Sequence, residues 1–276
     1  MKFGYFCNTT NWTHKPYHQL LDETKEITEF CDQNNWNSIW FTEHHFNHEG
    51  MESCTNPLML GADAAARTKN IRIGQAANVI TFHNPIRLAE DIATLDQLSK
   101  GRVEVGVARG VYGREAINLN KEADLKDQAK NFRLFAETLE ILKKAWSEKF
   151  FNHEGEFYTY PSPNYVWQHD MSPPSEEFMN MEDSTMKKIS VLPKPYQNPH
   201  PPIHQVVDGI RSIEWAAENN INVIMWIPTV KALKIRFEAY KNKRSEVTKK
   251  NVPLGEGVTL VRDMFVADTM EEAKEK

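Results

Sequence analysis

The chain has 276 residues, 40% of them hydrophobic and 26% charged, with a formal net charge of −5. That length suits one barrel-sized domain or two smaller ones. The acidic balance argues against nucleic acid or an anionic membrane as the main partner, and no apolar run is long enough to span a bilayer.

Residues 2–6 (KFGYF) read as a strand, entered directly from Met1-Lys2 without a secretory h-region. An amphipathic helix is predicted over 19–35, a strand over 38–42 and a helix over 57–69 with Pro57 at its start. Residues 71–80 (IRIGQAANVI) read as one strand, 85–100 as a helix stopped by Gly101, and 102–108 as a strand. The clearest helix covers 127–146, where Phe132, Phe135, Leu139, Leu142 and Trp146 recur at spacings of three and four. The pattern then breaks. FFNHEGEFYTYP suggests a hairpin, followed by a polar excursion, rich in Met, Pro and acid, that leaves the scaffold until about residue 200. Alternation resumes with a strand at 202–207, a helix at 211–219, a strand at 222–227, a helix at 229–249 and a strand within 258–267. Asp268-Thr269 then caps a last helix.

Strand–helix alternation implies a parallel sheet with helices outside. Seven βα units of similar size favour an α/β fold of the TIM (β/α)8 barrel type as a single domain over 1–276. No G-x-G-x-x-G stretch follows the first strand to support a dinucleotide-binding sheet. The count stops at seven strands, so a barrel lacking its final βα unit and lid is the expectation, with a miscounted strand as the alternative. Cys7, Cys31 and Cys54 are odd in number and lack metal-type spacing. Free thiols in a reducing, cytoplasmic setting are expected.

In such a barrel the chemistry sits at the C-terminal ends of the strands, where four stretches stand out. TEHHF (42–46) places two adjacent histidines beside a glutamate. Strand parity points adjacent side chains apart, so His44 and His45 do not form a two-histidine metal site; one of them suits acid–base work. A plain polar loop is the alternative. Ala76-Ala77 removes bulk at the end of the third strand, either for a planar ligand or for close strand packing. In VGVARGVYG (105–113), Gly106, Ala108 and Gly110 alternate and leave one side bare, with Arg109 as a cation suited to an anion or as a surface residue of the turn. Asp208, Gly209 and Ser212 fall at a helix start, as an anion site or as simple caps. Taken together these are the requirements of flavin mononucleotide: a flat ring against small residues, a phosphate at a helix start and an imidazole near the ring. No metal set is expected.

The stretches TEHHF, IGQAANVI, HNPIRLAEDIATLDQLSKGR (83–102), GVARGVYG (106–113), HEGEFY (153–158), LPKPYQNPHPPI (192–203) and SIEWAAENNI (212–221) resemble the bacterial luciferase-like family of flavin-dependent monooxygenases. The resemblance implies reduced FMN supplied by a separate flavin reductase. It further implies reaction with O2 at the flavin C4a position and oxygenation of a small hydrophobic substrate of aldehyde, ketone or terpene type. By position His44 corresponds to the family's catalytic histidine, and Ala76-Ala77 to a non-prolyl cis peptide behind the isoalloxazine. Arg109 with Asp208, Gly209 and Ser212 corresponds to the phosphate site, and Tyr112 to a residue near the flavin. Trp40, Phe46 and Trp226 are offered as apolar substrate contacts. The helices at 57–69 and 85–100 resemble those of the family's homo- or heterodimer contact, with Glu90 and His45 at the interface. Ala108 stands where light-emitting catalytic subunits have a cysteine, which argues against luminescence. The alternatives are a deazaflavin-dependent hydride transfer on the same fold and a non-catalytic partner subunit; His44 and Arg109 argue against the latter.

Overall fold

Short β-branched and aromatic runs bounded by Gly, Asn and Pro form the strands, and longer stretches with apolar residues at helical spacing form the helices between them. A computed structural model describes residues 1–226 and 228–275. The chain divides into Met1–Ile203 and His204–Lys276. The first unit runs β1 (Gly4–Cys7), α1 (Tyr17–Gln33), β2 (Ser38–Phe41), α2 (Pro57–Arg67), β3 (Arg72–Gln75), β4 (Asn78–Val79), α3 (Pro85–Ser99), β5 (Val103–Ala108), α4 (Gly113–Leu119) and α5 (Gln128–Ser147), then a hairpin of β6 (His153–Glu154) and β7 (Thr159–Tyr160). Strands β1, β2, β3 and β5 pair side by side in parallel, with Gly4 opposite Ser38, Ser38 opposite Arg72 and Ile73 opposite Val103.

Two Asn-Pro pairs start the helices that follow β2 and β4. The Asn56 side chain accepts from the Met59 amide, and Asn84 accepts from the Ile86 and Arg87 amides, with Pro57 and Pro85 at the first helical turn. Helix α3 ends with Lys100 left-handed at φ 55° and Gly101 following at φ 82°, whose amide donates to the Asp96 carbonyl. Much of the SKGR and LPKPYQ stretches is structural. The Arg102 guanidinium donates to the carbonyls of Ala65, Thr68, Ile71 and Ser99, closing the end of α2. Buried Asp96 accepts from the Gln197 amide and side chain, each at 2.8 Å. HEGEFY is likewise an anchor: Glu137 on α5 accepts from His153 Nε2 at 3.0 Å and from the amides of Glu156, Phe157 and Tyr158.

In the second unit, β8 (Ile203–Val207, starting at the last residue of the first unit), α6 (Ile210–Glu218), β9 (Asn222–Trp226), α7 (Val230–Thr248), β10 (Val258–Val261) and α8 (Met270–Glu275) follow in order. β9 pairs in parallel with β8 and β10. Ile213, Ala216, Ala217, Ile221, Val223 and Met225 form its core, and the buried Tyr240 hydroxyl donates to the Ile221 carbonyl at 3.0 Å. Counting β3 and β4 as one interrupted strand, all seven parallel strands expected from the sequence are present. The fold class is α/β of the TIM-barrel type.

One expectation needs correction, and one helix is new. The strand over 71–80 is not continuous; it breaks at Ala76-Ala77. The strand expected within 258–267 is β10, and Ile227, expected to end its own strand, lies outside the described residues. Helix α4 was not foreseen, because its seven residues are too few to show a periodicity; it is held by Ala116 packing with Ala123 and Leu134. The excursion keeps only short bridges, such as Val166 with Thr185, and an aromatic cluster of Phe150, Trp167 and Phe178. All three cysteines are buried free thiols. Among the described residues no helix is long and apolar enough to cross a membrane.

Candidate active site

The break after β3 comes from one extra residue. From Gly74 to Asn78 the chain advances four residues while its partner β5 advances three, from Glu104 to Val107. The Ala76–Ala77 peptide inside this bulge is cis. The Ala76 amide donates to the Phe41 carbonyl at 2.7 Å, and Asn78 Nδ2 donates to the Gly106 carbonyl at 3.1 Å. A Cβ at Gly106 would lie 1.6 Å from the Gln75 carbonyl oxygen, so only glycine admits the bulge there. This corrects the bare side read from Gly106, Ala108 and Gly110. The space at Gly106 is filled by the Gln75 carbonyl, and a Cβ at Gly110 would meet Phe82 at 3.0 Å. Ala108 stands opposite Val79 of β4.

Glu43 is the buried hub beside this bulge. Its carboxylate accepts from the Val79 amide at 2.7 Å, from His83 Nε2 at 2.8 Å and from His45 Nε2 at 3.0 Å. A carboxylate only accepts, so both Nε2 atoms carry a proton. Burial opposes the charge on Glu43 more than any single contact favours it. The bonds from His45 and His83, the charge of His83 and the Val79 amide together still hold its pKa below the ordinary value. Burial pulls the His83 imidazole down, but the bond and charge of Glu43 outweigh it and raise its pKa. His45 is therefore turned to Glu43, with its ring edge-on to Phe82 at 6.3 Å.

His44 takes the other direction, as expected from parity, although β2 has already ended at Phe41. Its amide donates to the Cys54 carbonyl at 2.8 Å, and its ring lies 5.4 Å from that of Tyr112. His44 Nε2 is 3.4 Å from Glu52 Oε1, and Nδ1 is 3.4 Å from Glu115 Oε1. Glu115, in the first turn of α4, is fully buried and accepts the His45 amide at 2.7 Å. Tyr112 shares a hydrogen bond with Glu52. Burial first, and that acidic partner second, push the phenol up to about 12, so it stays protonated and donates. His44 Nδ1, Glu52 Oε2 and Glu115 Oε2 are buried without a hydrogen-bond partner. Neither glutamate was singled out in the sequence. An acidic residue three positions after Tyr112, at a helix start, was the available signal for Glu115; nothing marked Glu52.

The remaining expected residues of the first unit are scattered in character. The Arg109 guanidinium lies over the Phe132 ring at 5.8 Å and donates to the Gln128 carbonyl at 3.4 Å, on the α5 side. Trp40 is a packing residue: its indole covers Gly74, where a Cβ would stand 2.2 Å from the ring, and Nε1 donates to Ser38 Oγ at 2.9 Å. Phe46 is 52% exposed on its loop, with φ 60°. Glu90 accepts from Arg87 on the surface of α3. Among the described residues no group of three or more His, Cys, Asp or Glu is arranged to hold a metal.

In the second unit, Gly209 is the residue before α6 and no side chain caps the helix. The alternative of simple capping is thereby corrected. Ser212 Oγ donates back to the Gly209 carbonyl at 2.8 Å, and Asp208 points to Arg236 Nη2 at 2.7 Å. Arg236 was not foreseen. Its Nη1 is buried without a partner, which leaves a cationic donor near the open start of α6. Trp226, at the end of β9, is 47% exposed.

The sequence profile of luciferase-like monooxygenases matches residues 1–276. The chain belongs to the luciferase-like monooxygenase family. The oxygenase component of the flavin-dependent trigonelline monooxygenase of Acinetobacter baylyi is 28% identical over 93% of this chain and 62% of its own length. The 2,5-diketocamphane 1,2-monooxygenase 1 of Pseudomonas putida is 26% identical over 100% of this chain and 70% of its own length. The chain thus spans about two thirds of the length of these relatives. Its fold matches that of the oxygenating constituent of 3,6-diketocamphane monooxygenase from Pseudomonas putida, solved with FMN. The TM-score is 0.81 at 23% identity, covering 100% of this chain and 71% of that one.

Proposed function

We propose that this protein is the oxygenase of a two-component system, taking reduced FMN from a separate flavin reductase. On this reading it inserts one atom of O2 into a small hydrophobic substrate of aldehyde, ketone or terpene type, without light emission. The relatives' names support the class: one is a flavin-dependent oxygenase component and another acts on a diketocamphane. The observation that carries the reading is the cluster around His44, in which three buried polar atoms lack partners. Buried polar groups are almost always paired, so such a cluster marks a place built for something else to bind or exchange protons.

Bound reduced FMN would supply the electrons that activate O2. The chain's own residues do the rest. In the first unit the Ala76–Ala77 segment offers a flat backbone surface, with Ala108 and Tyr112 beside it, and Arg109 offers positive charge. The Glu43 hub holds that surface in place through the Val79 amide. His44 exchanges a proton with the substrate. In the second unit the uncapped start of α6, with Gly209, Ser212 and Arg236, is assigned to an anionic group, and Trp226 offers apolar surface. A cytoplasmic dimer through α2 and α3, with Glu90 at the contact, belongs to the same reading; exposed Met59 and Leu98 on these helices support it. The test is an assay with NADH, a flavin reductase, FMN and O2. His44→Ala is expected to lower oxygenation about 100-fold or more while FMN binding is retained. Unchanged oxygenation would remove His44 from the chemistry, and turnover only with a deazaflavin would replace the cofactor.

A further inference from the structure

We propose that Glu115 is the positioning residue that sets the tautomer of His44, holding the Nδ1 proton inward so that Nε2 is the atom that exchanges protons, with Glu52 and Tyr112 beyond it. The proposal rests on His44 being the acid–base group of the reaction. Three carboxylates buried in the first unit make the case by contrast. Glu43 and Asp96 use both oxygens as acceptors, as structural carboxylates do. Glu115 uses Oε1 for the His45 amide and leaves Oε2 buried and unpaired. His44 Nδ1 is also buried and unpaired, and it lies 3.4 Å from the other carboxylate oxygen, Oε1. That gap is a few tenths of an ångström beyond a normal N–H···O bond, and a small rotation of either side chain closes it.

A carboxylate can satisfy a ring nitrogen only if that nitrogen carries the hydrogen. Glu115 therefore selects the Nδ1–H form and leaves a lone pair on Nε2. On that side Glu52 Oε1 is 3.4 Å away and has Tyr112 as its own donor. When Nε2 removes a proton from a substrate X–H group, the X–H bond breaks and its electron pair stays on X. The positive charge this leaves on the ring is balanced by Glu52 and Glu115, each 3.4 Å from a ring nitrogen. No electron leaves the pair, and no other reactant is needed. Glu115 is itself fixed from two directions, by α4 and by the amide of the residue next to His44. The base and its orienting group thus move together.

The experiment is a nitrogen–proton correlation spectrum of the histidine side chains in the full chain, with the His44 signal assigned by its loss in His44→Gln. The wild type is expected to show His44 in the Nδ1–H form at a pH where the ring is neutral. Glu115→Gln keeps an acceptor oxygen and should preserve that form; Glu115→Leu should move the signal to the Nε2–H form. A base in the wrong tautomer can lose up to about 10⁴-fold in rate, so Glu115→Leu should lower turnover about tenfold or more with FMN affinity within about twofold. A wild-type spectrum showing Nε2–H overturns the proposal without any variant, as does a folded Glu115→Leu protein with the wild-type signal. Failure to bind FMN would instead count against the oxygenase reading and leave the tautomer result standing.

Discussion

Replacing Glu43 by Leu removes the acceptor for three donors at once. The Val79 amide is the most exposed to loss, because it is buried in β4 and has no water to turn to. An orphaned buried amide costs about 1–3 kcal/mol. His45 and His83 are partly exposed and recover some hydration, but each also loses a charged partner. Breaking a buried ionic cluster from one side costs about 3–5 kcal/mol, and we expect Glu43→Leu to fall in that range. Against a typical domain stability of about 5–15 kcal/mol this is a large fraction. Glu43→Gln keeps an oxygen for the Val79 amide and should cost about 1–2 kcal/mol. Urea denaturation read by circular dichroism measures both, with the midpoint falling and the slope unchanged. A Glu43→Leu protein within about 0.5 kcal/mol of wild type would refute the claim that this carboxylate holds the segment after the bulge.

The same cluster predicts a pH dependence. The His83 pKa is raised, so its contribution is complete below the ordinary value of 6.5 and is lost as pH rises through the higher folded value. The Glu43 pKa is lowered, so its contribution is complete above the ordinary 4.5 and is lost as pH falls through the lower folded value. The stability difference between wild type and Glu43→Gln should therefore be greatest between these two limits and shrink on both sides, which chemical denaturation across pH would read. Gly106→Ala places a methyl group against the Gln75 carbonyl and should cost about 3 kcal/mol while weakening FMN binding, checked by denaturation and flavin fluorescence. Arg236→Gln removes the charged Nη1 donor near the start of α6 and should weaken inorganic phosphate binding about tenfold or more, measured by calorimetric titration.

The strands and long helices were legible because their signals are local. Asn-Pro starts, Gly101 and the spacing of Phe132 through Trp146 each act within a few residues. The bulge was half legible: Ala76-Ala77 stood out as small, but the reason Gly106 is glycine lies on a neighbouring strand. The division between His44 and His45 matches the expectation, but both lie past the end of β2, so their partners rather than strand alternation set it. Glu52 and Glu115 reach His44 from separate segments, and an isolated glutamate in a sequence carries no mark of burial. Arg236 was hidden for the same reason, as one basic residue among many on α7. Trp40 misled in the opposite sense. A tryptophan near a strand end suggests a substrate wall, and only the glycine opposite it on β3 reveals a packing role.

The central claim is that the site around His44 and the Ala76–Ala77 bulge serves oxygenation by reduced FMN. The most direct measurement supplies the full chain with reduced FMN and isotopically labelled O2, offers a panel of long-chain aldehydes, bicyclic ketones and terpenes, and analyses the products by mass spectrometry. The account predicts one labelled oxygen atom per product molecule, lost in His44→Ala. Products without label, or label incorporated equally well by His44→Ala, would contradict it.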